Sequence, residues 1–127
     1  MRQTRMKPAA LALTSFALAS CANSDYRLDG PRSAAGVELA PYAIHEECVA
    51  LEPGNRINYY FESVAPVAFN IHYHDANAVI MPITRDKVTR DSGDFTAERK
   101  DVYCLMWEAG PEASVLEYRI RSMPASR

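Results

Sequence analysis

The sequence predicts an all-β domain over residues 42–123, built as an antiparallel β-sandwich of about seven to eight strands. Short runs of alternating apolar and polar residues recur along this stretch, and turn-forming Gly, Pro, Asn and Asp residues separate most of them. Alternation with a period of two is typical of a strand that has one face on a core and one in water. Seven or so such runs in about 80 residues favour a sandwich.

The first three strands are expected at residues 47–51, 56–63 and 67–74. Pro53 and Gly54 form a turn signal that closes the first of them. Apolar or aromatic side chains occupy every other position of the second and third strands: Ile57, Tyr59 and Phe61, then Val67, Phe69, Ile71 and Tyr73. We therefore expect these side chains to share one face.

The later strands are shorter or more irregular. A turn at residues 75–77 leads to a strand at 78–84, with further short strands at 88–89 and from Phe95. Pro82 lies inside the first of these and cannot donate a ladder hydrogen bond, which predicts an edge strand or a bulge. Two more strands, at 102–108 and 115–122, complete the domain.

The N-terminus predicts export from the cytoplasm. Arg2, Arg5 and Lys7 precede an apolar run of thirteen residues, from 8 to 20, which is the arrangement of a secretory signal. A helix that spans a membrane needs about 20 apolar residues, so this run is too short for a permanent one. Residues 1–20 are therefore expected to be a signal peptide that is removed.

The end of the signal, Leu18-Ala19-Ser20-Cys21, resembles the lipobox of bacterial lipoproteins. The resemblance implies that the chain is cut before Cys21, and that Cys21 receives a diacylglyceryl group on its thiol and an acyl chain on its amine. Several acyl chains on one residue make a stable membrane anchor. Ala22 follows, and not Asp, which by the same resemblance implies the outer membrane, facing the periplasm. The alternative is an ordinary signal, cut after Ala17 or Ala19.

Residues 21–41 are expected to be the lipidated N-terminus and a flexible tether, because they are rich in small and polar residues and show little apolar periodicity. Three of the 14 basic residues lie in the signal, so the mature chain would carry 11 against 16 acidic residues, a net charge of about −5. A nucleic-acid partner is disfavoured, since domains that bind nucleic acid usually present a basic face.

Two cysteines, Cys48 and Cys104, remain once Cys21 is lipidated. An even pair of cysteines in an oxidising compartment predicts a disulfide. The alternative is a metal-binding or reactive thiol pair, which the absence of a CxxC spacing disfavours.

The segments 92–97 and 101–107 resemble the closing strands of GOLD-type β-sandwich domains. Gly93 and Phe95 match the first part of that pattern, and Tyr103 and Cys104 match the second, although these two are adjacent here and separated in the family. In GOLD-type domains this cysteine is bonded to one near the start of the domain, which is where Cys48 lies. Such domains are binding modules, so the resemblance implies binding and names no reaction.

His72 and His74 are candidate metal ligands. Residues two apart on a strand point to the same side, so the two imidazoles can meet one ion. Asn70 shares that face, His45 is a candidate third imidazole, and Asp75 is a candidate carboxylate ligand. Cu(II) or Zn(II) would suit an oxidising compartment. The alternative is a solvated or hydrogen-bonded strand face.

These observations favour a non-enzymatic module of the cell envelope that binds a protein or a small ligand and is held at the membrane by its lipid. The G-x-S-x-G, H-E-x-x-H and P-loop motifs do not occur in the sequence, and no cofactor is expected apart from copper or zinc. The alternative function is a periplasmic copper- or zinc-binding protein that uses the His72 and His74 face.

Overall fold

The computed structural model describes residues 26–124, which form six β-strands, each antiparallel to its neighbours. No helix occurs in this part of the chain. The all-β prediction is therefore confirmed. The strands are β1 (Arg32–Leu39), β2 (Ile44–Leu51), β3 (Arg56–Asp75), β4 (Ala78–Thr96), β5 (Asp101–Ala109) and β6 (Ser114–Met123).

The long strand β3 organises the sheet. It is 20 residues long, and β4 pairs with it along one edge. On the other edge the first part of β3 pairs with β6 and the second part with β5, so the strand order is β1-β6-β3-β5-β2. The partner changes where β3 passes through residues 64–66. The result is one antiparallel sheet curled into a half-barrel.

The curl brings the two parts of β3 face to face. The ring centroids of Phe61 and Phe69 are 4.7 Å apart, and both rings contact Trp107 of β5. Trp107 in turn stacks on Tyr118 of β6 at 4.9 Å. Aromatic pairs at such distances contribute about 0.5–1.5 kcal/mol each beyond the burial of their area. The alternating positions that the sequence predicted are buried in this core: Ile57, Tyr59, Phe61, Val67, Phe69 and Ile71.

Six strands replace the predicted seven to eight, and one curled sheet takes the place of the expected sandwich. Residues 56–63 and 67–74 belong to a single strand, and the three short strands expected between residues 78 and 96 are all parts of β4. Register shifts, for example between Glu62 and Val67, bend these strands without ending them. Lys87, with a φ of 50°, lies at another such irregularity, so β4 follows β3 around the bend.

Pro82 lies where the sequence placed it, on an edge. β4 pairs with β3 alone, and the register shifts next to Pro82, between the partners Ile83 and Ile80. Both features remove the need for a ladder hydrogen bond from the proline nitrogen. The prediction of an edge strand or a bulge at this position is confirmed.

The predicted tether of residues 21–41 is too long, because residues 32–39 form β1, which pairs with β6. Leu28, further towards the N-terminus, already packs against the core. The alternation of β1 is hidden in the sequence by an irregularity between Ala34 and Val37, where Gly36 has a φ of 69°. The signal peptide, Cys21 and residues 22–25 lie outside the described residues.

The half-barrel has two distinct ends. At the bend end, the loops 40–43 and 110–113 meet residues 64–66: the Tyr42 N–H donates to the Gly110 carbonyl at 3.0 Å, and the Ala65 N–H donates to Ser114 Oγ at 2.9 Å. At the terminal end, the loops 52–55 and 97–100 are joined by a hydrogen bond from the Gly54 N–H to the Ala97 carbonyl at 2.8 Å.

Both ends of the described chain lie at the terminal end. Arg56, the first residue of β3, is opposite Met123 of β6, and Ser122 Oγ donates to the Leu28 carbonyl at 3.4 Å. The eight-residue strands β1 and β2 connect this end to the bend end, over a length of about 27 Å at the usual rise per residue.

Candidate functional site

The predicted disulfide is present. Cys48 of β2 and Cys104 of β5 are bonded to each other and are directly opposite in the strand register. Their strand neighbours Val49, Tyr103 and Leu105 are buried in the core. The disulfide therefore lies on the outer face of the half-barrel, where Cys104 is nevertheless almost fully covered.

His72 and His74 lie side by side on the same outer face, with ring centroids 5.3 Å apart. His72 is buried and His74 is exposed. His72 Nδ1 is 2.7 Å from Asn70 Oδ1, and His72 Nε2 is 3.4 Å from Glu46 Oε1. Burial lowers the pKa of His72, and the Glu46 carboxylate only partly opposes this effect. The expected shared face is observed, and metal binding by these two residues stays a prediction.

His45 does not join the other two histidines. It is opposite Trp107 in the β2–β5 register, and its ring lies 5.2 Å from Tyr118 and 6.0 Å from Trp107, on the inner face. The structure therefore separates His45 from the His72 and His74 face, contrary to the three-histidine prediction. Asp75, the candidate carboxylate, is instead paired with Arg99 at 3.2 Å.

Glu46 is the residue on this face that the sequence did not identify as a partner of the histidines. Ligand atoms of Glu46, His72 and Cys104 all lie within 4.8 Å of one another. In the oxidised protein the Cys104 sulfur is held in the disulfide, and the metal-binding form of cysteine is the thiolate. Glu46 reaches His72 only because β2, β5 and β3 are neighbours, an arrangement that sequence spacing does not show.

A polar cluster closes the open side of the half-barrel between β1 and β2. Glu47 accepts hydrogen bonds from the Tyr118 hydroxyl at 2.5 Å and from Arg32 at 3.1 Å, and Arg32 also donates to the Cys48 carbonyl at 2.8 Å. Burial, and the adjacent Glu47 carboxylate, raise the pKa of Tyr118. The cluster joins β1, β2 and β6, so we assign it a structural role.

The bend end carries a cleft of about 520 Å³, here called the bend-end cleft. Its apolar part includes Tyr42, Pro66 and Pro111. Tyr42 is 66% exposed, and its φ of 61° lies in the left-handed region. The charged residues that line this cleft are Asp86, Lys87, Glu108 and Glu112.

A larger cleft, of about 790 Å³, lies at the terminal end. It is lined by charged side chains of both signs, among them Arg27, Asp29, Arg56 and Lys100. Lys100 is already paired with Glu52 at 3.2 Å. This cleft adjoins the N-terminal end of the described chain and has no exposed aromatic residue among those that line it.

Two serines and both cysteines of the described residues already have partners. The Ser63 and Ser114 hydroxyls donate to the Ala65 carbonyl, and Cys48 and Cys104 are consumed by the disulfide. Within residues 26–124, no helix is long and apolar enough to cross a bilayer.

No protein-family model matches the sequence, and no curated protein matches it. Among solved structures, the chain is similar to PliG of Aeromonas hydrophila, described as a periplasmic inhibitor of g-type lysozyme. The two structures superpose with a TM-score of 0.53 over 73% of this chain and 86% of PliG, at 9% sequence identity. At this identity the likeness shows a shared fold and no more.

Proposed function

We propose that this protein is a lipid-anchored protein of the cell envelope whose domain binds a partner protein through the bend-end cleft. The cleft is the observation that carries the proposal, because it combines an exposed aromatic residue with an apolar floor and a charged rim. Protein interfaces concentrate their binding energy in a few aromatic or apolar side chains that the partner buries, with a polar rim around them. The likeness to a periplasmic inhibitor protein supports a binding role in the same compartment.

The position of the proposed lipid anchor, Cys21, supports the bend-end cleft as the binding surface. Only residues 22–25 separate Cys21 from Tyr26, where the described chain begins at the terminal end. Five residues span at most about 18 Å when fully extended. A lipid on Cys21 would therefore hold the terminal end near the membrane and would direct the bend end away from it, where a partner has access.

The charges around the cleft indicate the kind of partner. The cleft is lined by three acidic residues and one basic residue, Lys87. The acidic residues are Asp86, Glu108 and Glu112. An acidic rim favours a basic partner and speeds its association. Since PliG is described as an inhibitor of g-type lysozyme, we propose a basic protein of the cell-wall lysozyme class as the partner, with g-type lysozyme as the first to test.

The test is a calorimetric titration of the mature chain with g-type lysozyme, together with a cell-wall lysis assay. Tyr42→Asn removes the ring and keeps a residue that tolerates the left-handed backbone, and Glu112→Lys reverses one rim charge. Loss of an aromatic side chain that supplies much of the binding energy weakens binding by about 2 kcal/mol or more, roughly 30-fold. Tyr26→Ala, an exposed tyrosine at the terminal end, is the matched control.

We expect the wild-type protein and the Tyr26 control to bind and inhibit equally, and both cleft variants to bind more weakly. Equal binding by all four proteins would exclude the bend-end cleft. Absence of binding by the wild-type protein at micromolar concentrations would contradict the lysozyme partner.

A further inference from the structure

The disulfide, His72 and Glu46 form one compact group on the outer face. Cys104 is opposite Cys48 on one side and opposite His72 on the other, so the three side chains form a row across β2, β5 and β3. Glu46 lies two residues before Cys48, and its Oε1 is 3.5 Å from Cys48 Sγ and 3.4 Å from His72 Nε2. Ligand atoms of Glu46, His72 and Cys104 lie within 4.8 Å of one another, and Cys48 adjoins this group through its bond to Cys104.

The imidazole of His72 is already oriented for coordination. Asn70 Oδ1 lies 2.7 Å from His72 Nδ1, so the tautomer that carries its proton on Nδ1 donates to Asn70 and coordinates through Nε2. His72 Nε2 is 3.4 Å from Glu46 Oε1. His72 is 5% exposed, so packing restricts the ring. Histidines that bind metals usually donate their other ring N–H to such an oxygen, which fixes the tautomer.

The spacing also fits a metal. In a tetrahedral zinc site the bonds are about 2.0–2.1 Å to nitrogen or oxygen and about 2.3 Å to sulfur, which places neighbouring ligand atoms roughly 3.3–3.8 Å apart. The separation of Glu46 Oε1 and His72 Nε2 is 3.4 Å, and the ligand atoms of Glu46, His72 and Cys104 lie within 4.8 Å of one another.

We propose that reduction of the Cys48–Cys104 disulfide creates a zinc site whose four ligands are the two cysteine sulfurs, His72 Nε2 and a Glu46 oxygen. A dithiol reductant supplies two electrons and two protons, the S–S bond breaks into two thiols, and the reductant becomes a disulfide. Zn²⁺ then displaces the two thiol protons and binds both thiolates. Oxidation of the two thiolates forms the disulfide again and releases the ion, so the site can bind zinc only in the reduced chain.

Two thiolates, an imidazole and a carboxylate are a ligand set that suits zinc. In the oxidised chain only His72 and Glu46 of this set remain available. The proposal does not depend on the partner protein, since the site lies on β2, β3 and β5 and not in the bend-end cleft.

The experiment uses the mature chain with Cys21→Ser, so that a third thiol cannot contribute. The protein is reduced with a phosphine, cleared of reductant and titrated anaerobically with Co²⁺ and then Zn²⁺. A tetrahedral thiolate site gives a near-ultraviolet charge-transfer band with cobalt, which zinc removes at one equivalent. We expect this band in the reduced chain and not in the oxidised chain.

Substitutions within the group test whether His72 and Glu46 bind the ion together with the two cysteines. His72→Ala and Glu46→Gln should weaken zinc binding strongly, and Asn70→Ala should weaken it by about 10–100-fold, as for other partners of metal-bound histidines. His45→Ala, on the opposite face, is the matched control and should bind like the wild type. Equal affinity in all variants, or no cobalt band in the reduced wild type, overturns the proposal.

A folding measurement covers the case in which the reduced chain unfolds. Near-ultraviolet circular dichroism reports the packing of Trp107, which is fully buried. If reduction abolishes this signal, zinc should restore it in the wild type and not in His72→Ala. Failure of zinc to restore the signal in the wild type also overturns the proposal.

Discussion

Removal of the disulfide is the perturbation whose magnitude follows most directly from the structure. Cys48 and Cys104 are separated by 56 positions in the sequence. The chain-entropy relation for a loop of this length gives a stabilisation of about 4 kcal/mol at 25 °C, through restriction of the unfolded chain. Domains of this size have free energies of unfolding of about 5–15 kcal/mol, so the loss is a large fraction of the total.

The variant is the double substitution Cys48→Ala and Cys104→Ala, and the control is Cys21→Ser. Urea unfolding, followed by the fluorescence of the buried Trp107, gives the free energy of unfolding. We expect the double variant to lose about 4 kcal/mol, with a fall in Tm of roughly 15–30 °C, and the control to lose nothing. A loss below about 1 kcal/mol would refute the argument that the disulfide acts by closing a long loop.

Three further predictions concern the core, the pH dependence and the anchor. Phe69→Ala should lower the free energy of unfolding by about 3–5 kcal/mol, because its buried ring contacts three aromatic rings, whereas Val64→Ala, at a position that is 79% exposed, should change it by less than about 0.5 kcal/mol in chemical denaturation. Burial and Asp91 raise the pKa of Tyr59 to about 12, so the unfolded chain loses this proton first and stability should fall as the pH rises from about 10 to 12. Denaturation curves for Tyr59→Phe should show a shallower alkaline fall, and an identical fall would contradict the assignment. Cys21→Ala should move the protein from the membrane fraction to the soluble fraction, and unchanged fractionation would contradict the lipid anchor.

The sequence predicts the strands best where the alternation is uninterrupted. In β6, Leu116, Tyr118 and Ile120 alternate with charged residues, and the structure buries these three side chains. The same holds for both parts of β3. These predictions succeed because a strand with one buried face must repeat every two residues, whatever its partners are.

The curl of the sheet could not be predicted in this way. In the sequence, residues 64–66 interrupt the alternation and look like a break between two strands. In the structure β3 continues through them and changes its partner there from β6 to β5. β1 was missed for a related reason, since the irregularity at Gly36 shifts its alternation by one position. The curl of β3 and the irregularity of β1 both depend on pairing between strands that are far apart in the sequence. A local sequence pattern does not show such pairing.

At the candidate sites, too, the spacing along one strand could be predicted from the sequence and the pairing between strands could not. That His72 and His74 share a face follows from their spacing alone. The side of His45 could have been inferred as well, because it shares its parity with the apolar Val49 and Leu51. Glu46 could not have been connected to His72 from the sequence, because two strand pairings, β2 with β5 and β5 with β3, bring them together.

Hydrogen–deuterium exchange of the protein alone and with g-type lysozyme shows whether the bend end is the surface that binds the partner. We expect slower exchange in the loops 40–43 and 110–113 in the presence of the lysozyme, with no change in the loops 52–55 and 97–100. Protection at the terminal end, or no protection at either end, would contradict it.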